Sequence, residues 1–261
     1  MGILNATPDS FSDGGKFRSP KDAIAQAERM LADGVDLIDI GGESTRPGAE
    51  PVGLQEELDR VLPVIEALKD CGVPLSIDTY KPETMRQALH AGVDCVNDIW
   101  ALRQTGAVDA VLESQNCGIV LMHMQRDPLT MQFDPEYINV IAEVKQFLKD
   151  RADLLISSGI AIDRITIDPG FGFGKSLEHN LNMLSNFSEF STLGLPVLAG
   201  ISRKSMIGKI TGKDTNDRVA PSIAAAIMAA DRGASIVRVH DVAETVDALK
   251  LWEAIQVDMS V

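Results

Sequence analysis

Short apolar runs recur along this chain, and after the first, each follows a glycine. They are Met1–Asn5, Leu37–Ile40, Pro74–Asp78, Cys95–Asp98, Ile119–Met122, Ile165–Asp168, Pro196–Gly200 and Ile236–Val239. Four or five residues of mostly Ile, Val and Leu, with little polar alternation, is the pattern of a parallel strand buried on both faces. Between the runs, apolar residues return every three to four positions. Amphipathic helices are therefore predicted over Pro20–Ala32, Gln55–Asp70, Pro82–His90, Ala107–Ser114, Pro135–Ser157, Leu177–Phe190, Pro221–Arg232 and Ala243–Ile255. Most of the glycines Gly34, Gly72, Gly92, Gly118, Gly159, Gly194 and Gly233 stand where a helix C-terminus takes a left-handed residue. Eight strands alternating with eight helices is the sequence form of an α/β fold, a single (β/α)8 TIM barrel. An open doubly wound sheet is the alternative. The count and the lack of a G-x-G-x-x-G turn after the first strand disfavour it. No linker or low-complexity tract interrupts the pattern, so residues 1–261 are read as one domain.

In such a barrel the chemistry gathers at the C-terminal ends of the strands. Those ends carry Asn5, Asp39, Asp78, Asn97 with Asp98, Met122 with His123, Asp168, Ser202 with Arg203 and Lys204, and Arg238 with His240. One group is acidic or amide: Asp78, Asn97 and Asp168 suit a ligand edge rich in N–H donors, such as a 2-amino-pyrimidinone. The other is cationic: Arg46, Lys204, Arg238 and His240. Arg238 and His240 lie two apart on one strand and so point to one side, an arrangement that suits a diphosphate. Structural roles compete at several positions. Asp39 and Asp98 could simply bond loop backbone, Arg238 could pair with a barrel Asp, and His240 could be a loop histidine with a backbone partner. His90 and His179 fall in helical patterns and are expected at the surface.

The stretch from Ile165 to Lys175 condenses this reading. A β-branched run ends on Asp168, Pro169 stops the ladder, and Gly170, Gly172 and Gly174 alternate with Phe171 and Phe173. A fixed acid beside a loop of little bulk and two rings suggests a pocket for a flat ligand with a polar edge, unless Asp168 only caps the next helix. The segment superficially resembles a nucleotide phosphate loop. Counted back from Gly174-Lys175-Ser176, however, the first glycine of that motif would be residue 169, which is Pro. The phosphate cradle depends on that spacing, so an ATP or GTP site is rejected.

Composition narrows the partners. Lys+Arg 24 against Asp+Glu 38 leaves a net charge of -14, which argues against nucleic acid and against an anionic membrane surface. An anionic substrate would need a local cluster of cations. Cys71, Cys95 and Cys117 are odd in number and lack C-x-x-C spacing, so they read as reduced thiols and not as a zinc site or disulfide set. No run reaches transmembrane length and no signal-peptide pattern precedes Gly2, so a cytoplasmic location is expected. Two segments rich in Gly, Ser, Pro and charge, Thr7–Arg18 and Gly41–Pro51, follow strand ends at the expected catalytic face. They are candidate lids, with Phe11, Thr45 and Arg46 apt for ligand contact.

Taken together, these motifs resemble a known family. Met1-Gly2-Ile3-Leu4-Asn5-Ala6-Thr7-Pro8-Asp9-Ser10-Phe11-Ser12-Asp13-Gly14-Gly15 is similar to the first signature of dihydropteroate synthases, and Ile38–Ala49, containing G-G-E-S-T-R-P-G, to the second. Asp78–Pro82, Val96–Ile99, Asp168–Lys175, Ser202–Ser205 and Arg238–Val242 follow in family order. The resemblance covers the whole chain and implies a (β/α)8 barrel. It also implies a transferase that condenses 6-hydroxymethyl-7,8-dihydropterin diphosphate with p-aminobenzoate, giving 7,8-dihydropteroate and diphosphate, with diphosphate leaving first. By position it implies that Asp78, Asn97, Met122, Asp168, Phe173 and Lys204 bind the pterin. Asn5, Arg46, Arg238 and His240 would hold the diphosphate, with Mg2+ as cofactor at Asn5. Phe11, Thr45, Arg46, Pro47, Phe173, Lys204 and Ser205 would border the p-aminobenzoate pocket, where sulfonamides would compete. Asn5, Lys204, Arg238 and His240 would be the catalytic set. No Ser or Cys nucleophile is required, and none is evident. The resemblance also favours a homodimer through the last helices, one of which, Ser222–Ala230, has a surface of small residues.

Three departures from the family pattern stand out. Ala6 replaces a usual Val, with little consequence expected. Arg126 stands where Gly is usual, and because Arg adopts positive φ only at a cost, a different loop conformation is expected there, making the placement of Met122 less secure. The sequence begins at strand one, without the hairpin that usually plugs the barrel floor, so lower stability is expected. A corrinoid-methyltransferase pterin domain would share the acids but has no use for Arg46, Lys204 and the R-V-H cluster together. A non-catalytic homologue should have lost some of these residues, and a phosphosugar enzyme would not explain three pterin-facing Asp and Asn residues.

Overall fold

The protein is described here from a computed structural model, over residues 1–7, 20–44, 50–127, 130–131 and 133–258. Six parallel strands pair in chain order: β1 (Gly2–Asn5), β2 (Ile38–Gly41), β3 (Leu75–Asp78), β4 (Cys95–Asp98), β5 (Gly118–Met122) and β6 (Ile165–Asp168). Two shorter ones, β7 (Leu198–Ala199) and β8 (Ile236–Val237), pair with each other. A single parallel bridge on each side closes the ring, Ile167 to Val197 and Gly2 to Val239. Backbone bonds support both seams, with Ile167 N–H donating to Pro196 O at 2.9 Å and Ile3 N–H to Val239 O at 2.9 Å. The result is the expected eight-stranded barrel. Pro196 has no N–H to give the ladder, which helps explain why β7 is shorter than its apolar run.

Around it run α1 (Pro20–Ala32), α2 (Leu54–Leu68), α3 (Pro82–Ala91), α4 (Ala107–Leu112), α5 (Val140–Ser157), α6 (Leu177–Ser185), α7 (Ser188–Ser191), α8 (Ser205–Thr211), α9 (Val219–Ala230) and α10 (Val242–Asp258). Three differ from expectation. α5 starts at Val140, not Pro135, because Asn139 caps it, its side chain accepting the Ala142 N–H at 3.1 Å while Glu143 accepts the Asn139 N–H at 2.8 Å. The predicted helix Leu177–Phe190 breaks in two at Asn186, whose side chain turns back to bond Asn182 O at 3.0 Å. α8 was not expected; it follows Lys204 directly and ends at Gly212 with φ +70°.

Side-chain parity decides what each strand offers. Alternate residues of a barrel strand point inward. Leu4, Ile38, Ile40, Ile77, Val96, Leu121 and Ile167 point outward and pack under the helices in one continuous core. The other set fills the interior. Near the floor Met1, Val120 and Leu198 form a small apolar cluster with Leu37, Cys95 and Ile236. Two residues further along each strand the same rows reach Ile3, Asp39, Asn97, Met122, Gly200 and Arg238, and the interior turns polar towards the strand C-termini.

The connection after β5 corrects one expectation. Arg126 does take the left-handed conformation, with φ +62°, and its exposed guanidinium donates to Phe133 O at 2.6 Å. The backbone conformation that a glycine would favour is kept, at a cost of about 1 kcal/mol, and Met122 remains buried inside the barrel.

Candidate active site

The acids that the sequence places at the strand ends divide by parity. Asp39, Asp78, Asn97 and Asp168 face the interior. Asp98 faces out: its carboxylate accepts the N–H of Trp100 at 2.7 Å and of Leu102 at 2.8 Å, and so holds the loop after β4. Burial pushes Asp98 up to about 7, against those two backbone bonds. Its role is the structural one.

Inside, Arg238 reaches across the barrel. Its Nε donates to Asp39 Oδ2 at 2.6 Å and its Nη2 to Asp78 Oδ2 at 2.7 Å. Asn97 Nδ2 donates to the same Asp39 oxygen at 2.9 Å. Asp39, fully buried, is thus the hub that fixes both Arg238 and Asn97, a role the sequence left open. With Nδ2 engaged, Asn97 has its carbonyl oxygen to offer an incoming donor. Asp78 Oδ1 is buried and has no partner among the described residues. Burial pushes Asp78 up to about 7; Arg238 pulls it down, and the like charge of Asp39 adds to the rise. Burial works against the charge on Arg238 too, but Asp39 and Asp78 outweigh it and hold it above its ordinary value. A methyl group on Gly41 would lie within 3.8 Å of Asp78 Oδ2 and 3.9 Å of Asn5 Oδ1, which places the Asn5 amide beside this cluster.

Across the barrel mouth, Asp168 Oδ1 accepts the Gly170 N–H at 2.7 Å. Burial raises Asp168, opposed by that bond and by Lys204, Arg238 and Lys175. Gly170, Gly172 and Gly174 all have positive φ, 73°, 79° and 64°. Gly170 also lies hard against β5: a Cβ there would sit 2.0 Å from His123 O. The rest of this loop is pinned from behind. Lys175, only 4% exposed, donates to Gly170 O at 2.9 Å, Phe173 O at 3.0 Å and His123 O at 3.3 Å, and meets His123 Nδ1 at 2.9 Å. Tyr137 donates to Gly174 O at 2.8 Å, and Asn180 Oδ1 accepts the Gly172 N–H at 2.8 Å. Burial lowers Lys175 to about 7. It lowers His123 to about 2, with Lys175 adding to the effect, so His123 is neutral and accepts through Nδ1. His123 has the outward parity and packs edge-on against Phe147, 4.9 Å between ring centres, away from the interior.

The loop's front face meets the cationic wall. Lys204 Nζ stands 4.1 Å from the centre of the Phe173 ring, and its stem passes over Gly172, where a Cβ would come within 3.2 Å of Lys204 Cδ. Phe173 and Met122 share a cluster with Ile99, Met124, Met131, Tyr80 and Trp100. His240 N–H donates to Ser202 Oγ at 3.2 Å, and His240 Nδ1 lies 3.0 Å from the same hydroxyl. A hydroxyl that donates to Nδ1 leaves the N–H on Nε2. Arg203 turns away from the site to pair with Asp241 at 3.0 Å. The structure therefore gathers Asn5, Asp78, Asn97, Met122, Asp168, Phe173, Lys204 and Arg238 around one mouth. His240 sits on its β7 side with Ser202, and Ser205 is exposed at the start of α8. Phe11, Thr45, Arg46 and Pro47 lie outside the described residues. Of the two other histidines, His90 is exposed as expected. His179 is half-buried instead: it completes the N-terminal cap of α6, its Nδ1 accepting the Ser176 N–H at 3.2 Å.

Sequence reasoning missed the group that holds the β2–α2 connection. Glu43 accepts the Val52 N–H at 3.2 Å and the Tyr80 hydroxyl at 2.8 Å, and pairs with Lys81. Lys81 also meets the buried Glu57 at 3.2 Å, and Glu57 accepts the hydroxyls of Thr79 at 2.9 Å and Thr84 at 2.8 Å. Both flanks of that connection are thereby tied to the end of β3, next to Asp78. The available signal was Tyr80-Lys81 placed directly after a strand-end acid.

Comparison with known proteins places the chain in a family. Residues 1–240 match the model of the family described as pterin binding enzyme. The dihydropteroate synthase of Haemophilus influenzae is 49% identical over 97% of this chain and 92% of its own length. A crystal structure of the Yersinia pestis dihydropteroate synthase with a sulfonamide drug superposes with a TM-score of 0.94 at 47% identity, covering 98% of this chain and 93% of that one. The Burkholderia cenocepacia dihydropteroate synthase complexed with 7,8-dihydropteroate gives 0.91 at 52% identity, covering 99% and 91%. This chain belongs to the pterin-binding enzyme family and, within it, to the dihydropteroate synthases.

Proposed function

We propose that the protein is the transferase that condenses 6-hydroxymethyl-7,8-dihydropterin diphosphate with p-aminobenzoate, giving 7,8-dihydropteroate and diphosphate in folate biosynthesis. The observation that carries this reading is the meeting, in one barrel mouth, of the acceptors Asp78, Asn97 and Asp168 with the cations Lys204 and Arg238. The pterin edge presents several N–H donors. The unpartnered Asp78 Oδ1, the Asn97 carbonyl and Asp168 would accept them, with Met122 and Phe173 lining the ring's slot and Lys204 over Phe173.

The diphosphate would lie towards Arg238, His240 and Asn5, with Arg46 closing from the β2–α2 connection. Among the described residues Arg238 Nη1 makes no hydrogen bond, so this nitrogen is available to an anion while Nε and Nη2 hold the acids. In the proposed order the C–O bond breaks first, its electron pair leaving on the diphosphate oxygen. Asp78 and Asp168, held beside the ring, would stabilise the cation left at the pterin methylene. The p-aminobenzoate nitrogen then forms the C–N bond and loses a proton. Donors fixed before reaction lower the barrier because no reorganisation is needed as charge develops. Phe11, Thr45, Arg46, Pro47, Phe173, Lys204 and Ser205 would border the p-aminobenzoate pocket, the site of sulfonamide competition.

The donor set suits a Mg2+ that arrives with substrate. Asn5 Oδ1 is a hard neutral oxygen at the mouth, Asp39 and Asp78 are held by Arg238, and the described residues contain no cluster of three His, Cys, Asp or Glu able to cage a metal. Asn5 would be the chain's ligand, and the ion, when bound, would neutralise diphosphate charge. A cytoplasmic homodimer through α9 and α10 completes the proposal. The test is diphosphate release with Mg2+, with and without p-aminobenzoate, in wild type and Lys204→Ala. Dihydropteroate formation that Lys204→Ala loses is the expected result. A wild type that binds pterin yet turns over with neither amine nor water would sink the reading.

A further inference from the structure

We infer that Lys175 is a positioning residue that sets the width of the pterin slot by tying the glycine loop after β6 to the end of β5. The inference rests on the reading that Asp168, Met122 and Phe173 hold the pterin. Lys175 itself faces away from the mouth: its ammonium is enclosed by Gly170 O, Phe173 O, His123 O and His123 Nδ1, at 2.9–3.3 Å. Two of those acceptors belong to the glycine loop and two to the residue immediately after Met122. One ammonium thus bridges the elements that carry the two walls of the slot.

Tyr137 and Asn180 hold the loop to its other neighbours, and His123 N–H donates to Asp168 O at 2.9 Å at its root, while the Lys175 ammonium joins the loop's own carbonyls to His123. The loop is pressed so close to β5 that a single added carbon at Gly170 would overlap His123 O, and three residues in left-handed conformations make its backbone adjustable. Without the ammonium, four carbonyl or ring acceptors would face one another with no donor between them, and the two elements would move apart. His123 suits the task because it is neutral and packed between Phe147 and Tyr137, with ring centres at 4.9 and 6.1 Å. Arg238, His240 and Asn5, on other strands, are outside this tie. Lys175 should therefore act on pterin affinity and leave the leaving-group wall in place.

The test is steady-state kinetics on the full chain with Lys175→Met, which keeps the stem and removes the donors, and Lys175→Arg, which keeps the charge. For Lys175→Met the KM for the pterin diphosphate should rise roughly tenfold or more while kcat at saturation changes less than about threefold. Lys175→Arg should lie between it and wild type. Equal KM values for wild type and Lys175→Met, or equal effects of the two substitutions, would overturn the inference. If Lys175→Met does not fold, His123→Phe removes only part of the tie, and its KM should shift in the same direction; an unchanged KM there would also overturn it. Wild type without pterin turnover would refute the functional reading. Turnover in wild type with no KM shift in the variants would refute the role of Lys175 alone.

Discussion

Removing Asp39 should weaken the protein more than removing any carboxylate on its surface. Asp39 is fully buried and receives two donors on one oxygen, Arg238 Nε at 2.6 Å and Asn97 Nδ2 at 2.9 Å. Asp39→Ala leaves Asn97 without its acceptor and Arg238 with Asp78 alone. Breaking a buried ion pair by truncating one partner costs about 3–5 kcal/mol. Arg238 keeps its second carboxylate, and a fifth of its side chain is exposed, so the lower end, about 3 kcal/mol, is expected. For a chain of this size that corresponds to a fall in Tm of about 6–12 °C. Urea denaturation of wild type, Asp39→Ala, Arg238→Met and the double variant would measure it. The double variant should recover at least about 1.5 kcal/mol of the summed losses, because the two side chains act as one unit. A loss below about 1 kcal/mol for Asp39→Ala, or strict additivity, would refute the claim that Asp39 organises this side of the site.

Two further perturbations probe the opposite wall. Gly170→Ala combines a strained φ of +73° with a Cβ 2.0 Å from His123 O, so the loop must leave β5. The backbone term alone is about 1–2 kcal/mol, and pterin affinity by fluorescence titration should fall by roughly 100-fold; wild-type affinity would contradict this geometry. His123 is held at about 2 against an ordinary 6.5, so between those values the unfolded chain takes up a proton that the folded chain refuses. Stability should therefore be lost as pH falls below 6.5, and His123→Phe should flatten that acid limb; superimposable stability profiles from pH 6.5 downward would show that His123 carries none of it.

The alternation of strands and helices was readable because buried parallel strands and amphipathic helices have different periods. The ring of polar strand ends was readable too, but it was read as one ring, and parity divides it. Val96 is apolar and faces the helices, so Asp98 two residues on must share that face, while Asn97 between them faces in. The same count separates Met122 from His123. Asp39 was legible as polar in a buried row, and a barrel Asp was foreseen as an alternative partner for Arg238, but not that Asp39, 199 residues away, would be one. Lys175 was hidden for a different reason. A lysine at the end of a glycine loop looks solvated or bound to phosphate, and only the approach of β5 shows that it is enclosed. α8 is seven residues long and has no repeat to betray it. Arg126 was expected to change its loop because positive φ is costly for it, but that cost is only about 1 kcal/mol and Arg126 adopts φ +62°.

The seams of the barrel decide how the two walls of the site are joined. Asp39, Asp78, Asn97 and Asp168 stand on six strands laddered in chain order. Ser202, Lys204, Arg238 and His240 follow β7 and β8, a pair sewn to β1 by the Met1 amino group on Val237 O at 3.1 Å, Val239 N–H on Met1 O at 2.9 Å and Ile3 N–H on Val239 O at 2.9 Å, and to β6 by Ile167 N–H on Pro196 O at 2.9 Å. Arg238 adds a side-chain stitch across the interior, to Asp39 at 2.6 Å and Asp78 at 2.7 Å. The acids and the cations of the mouth are thereby coupled as one body, and a change that moves one wall is transmitted to the other.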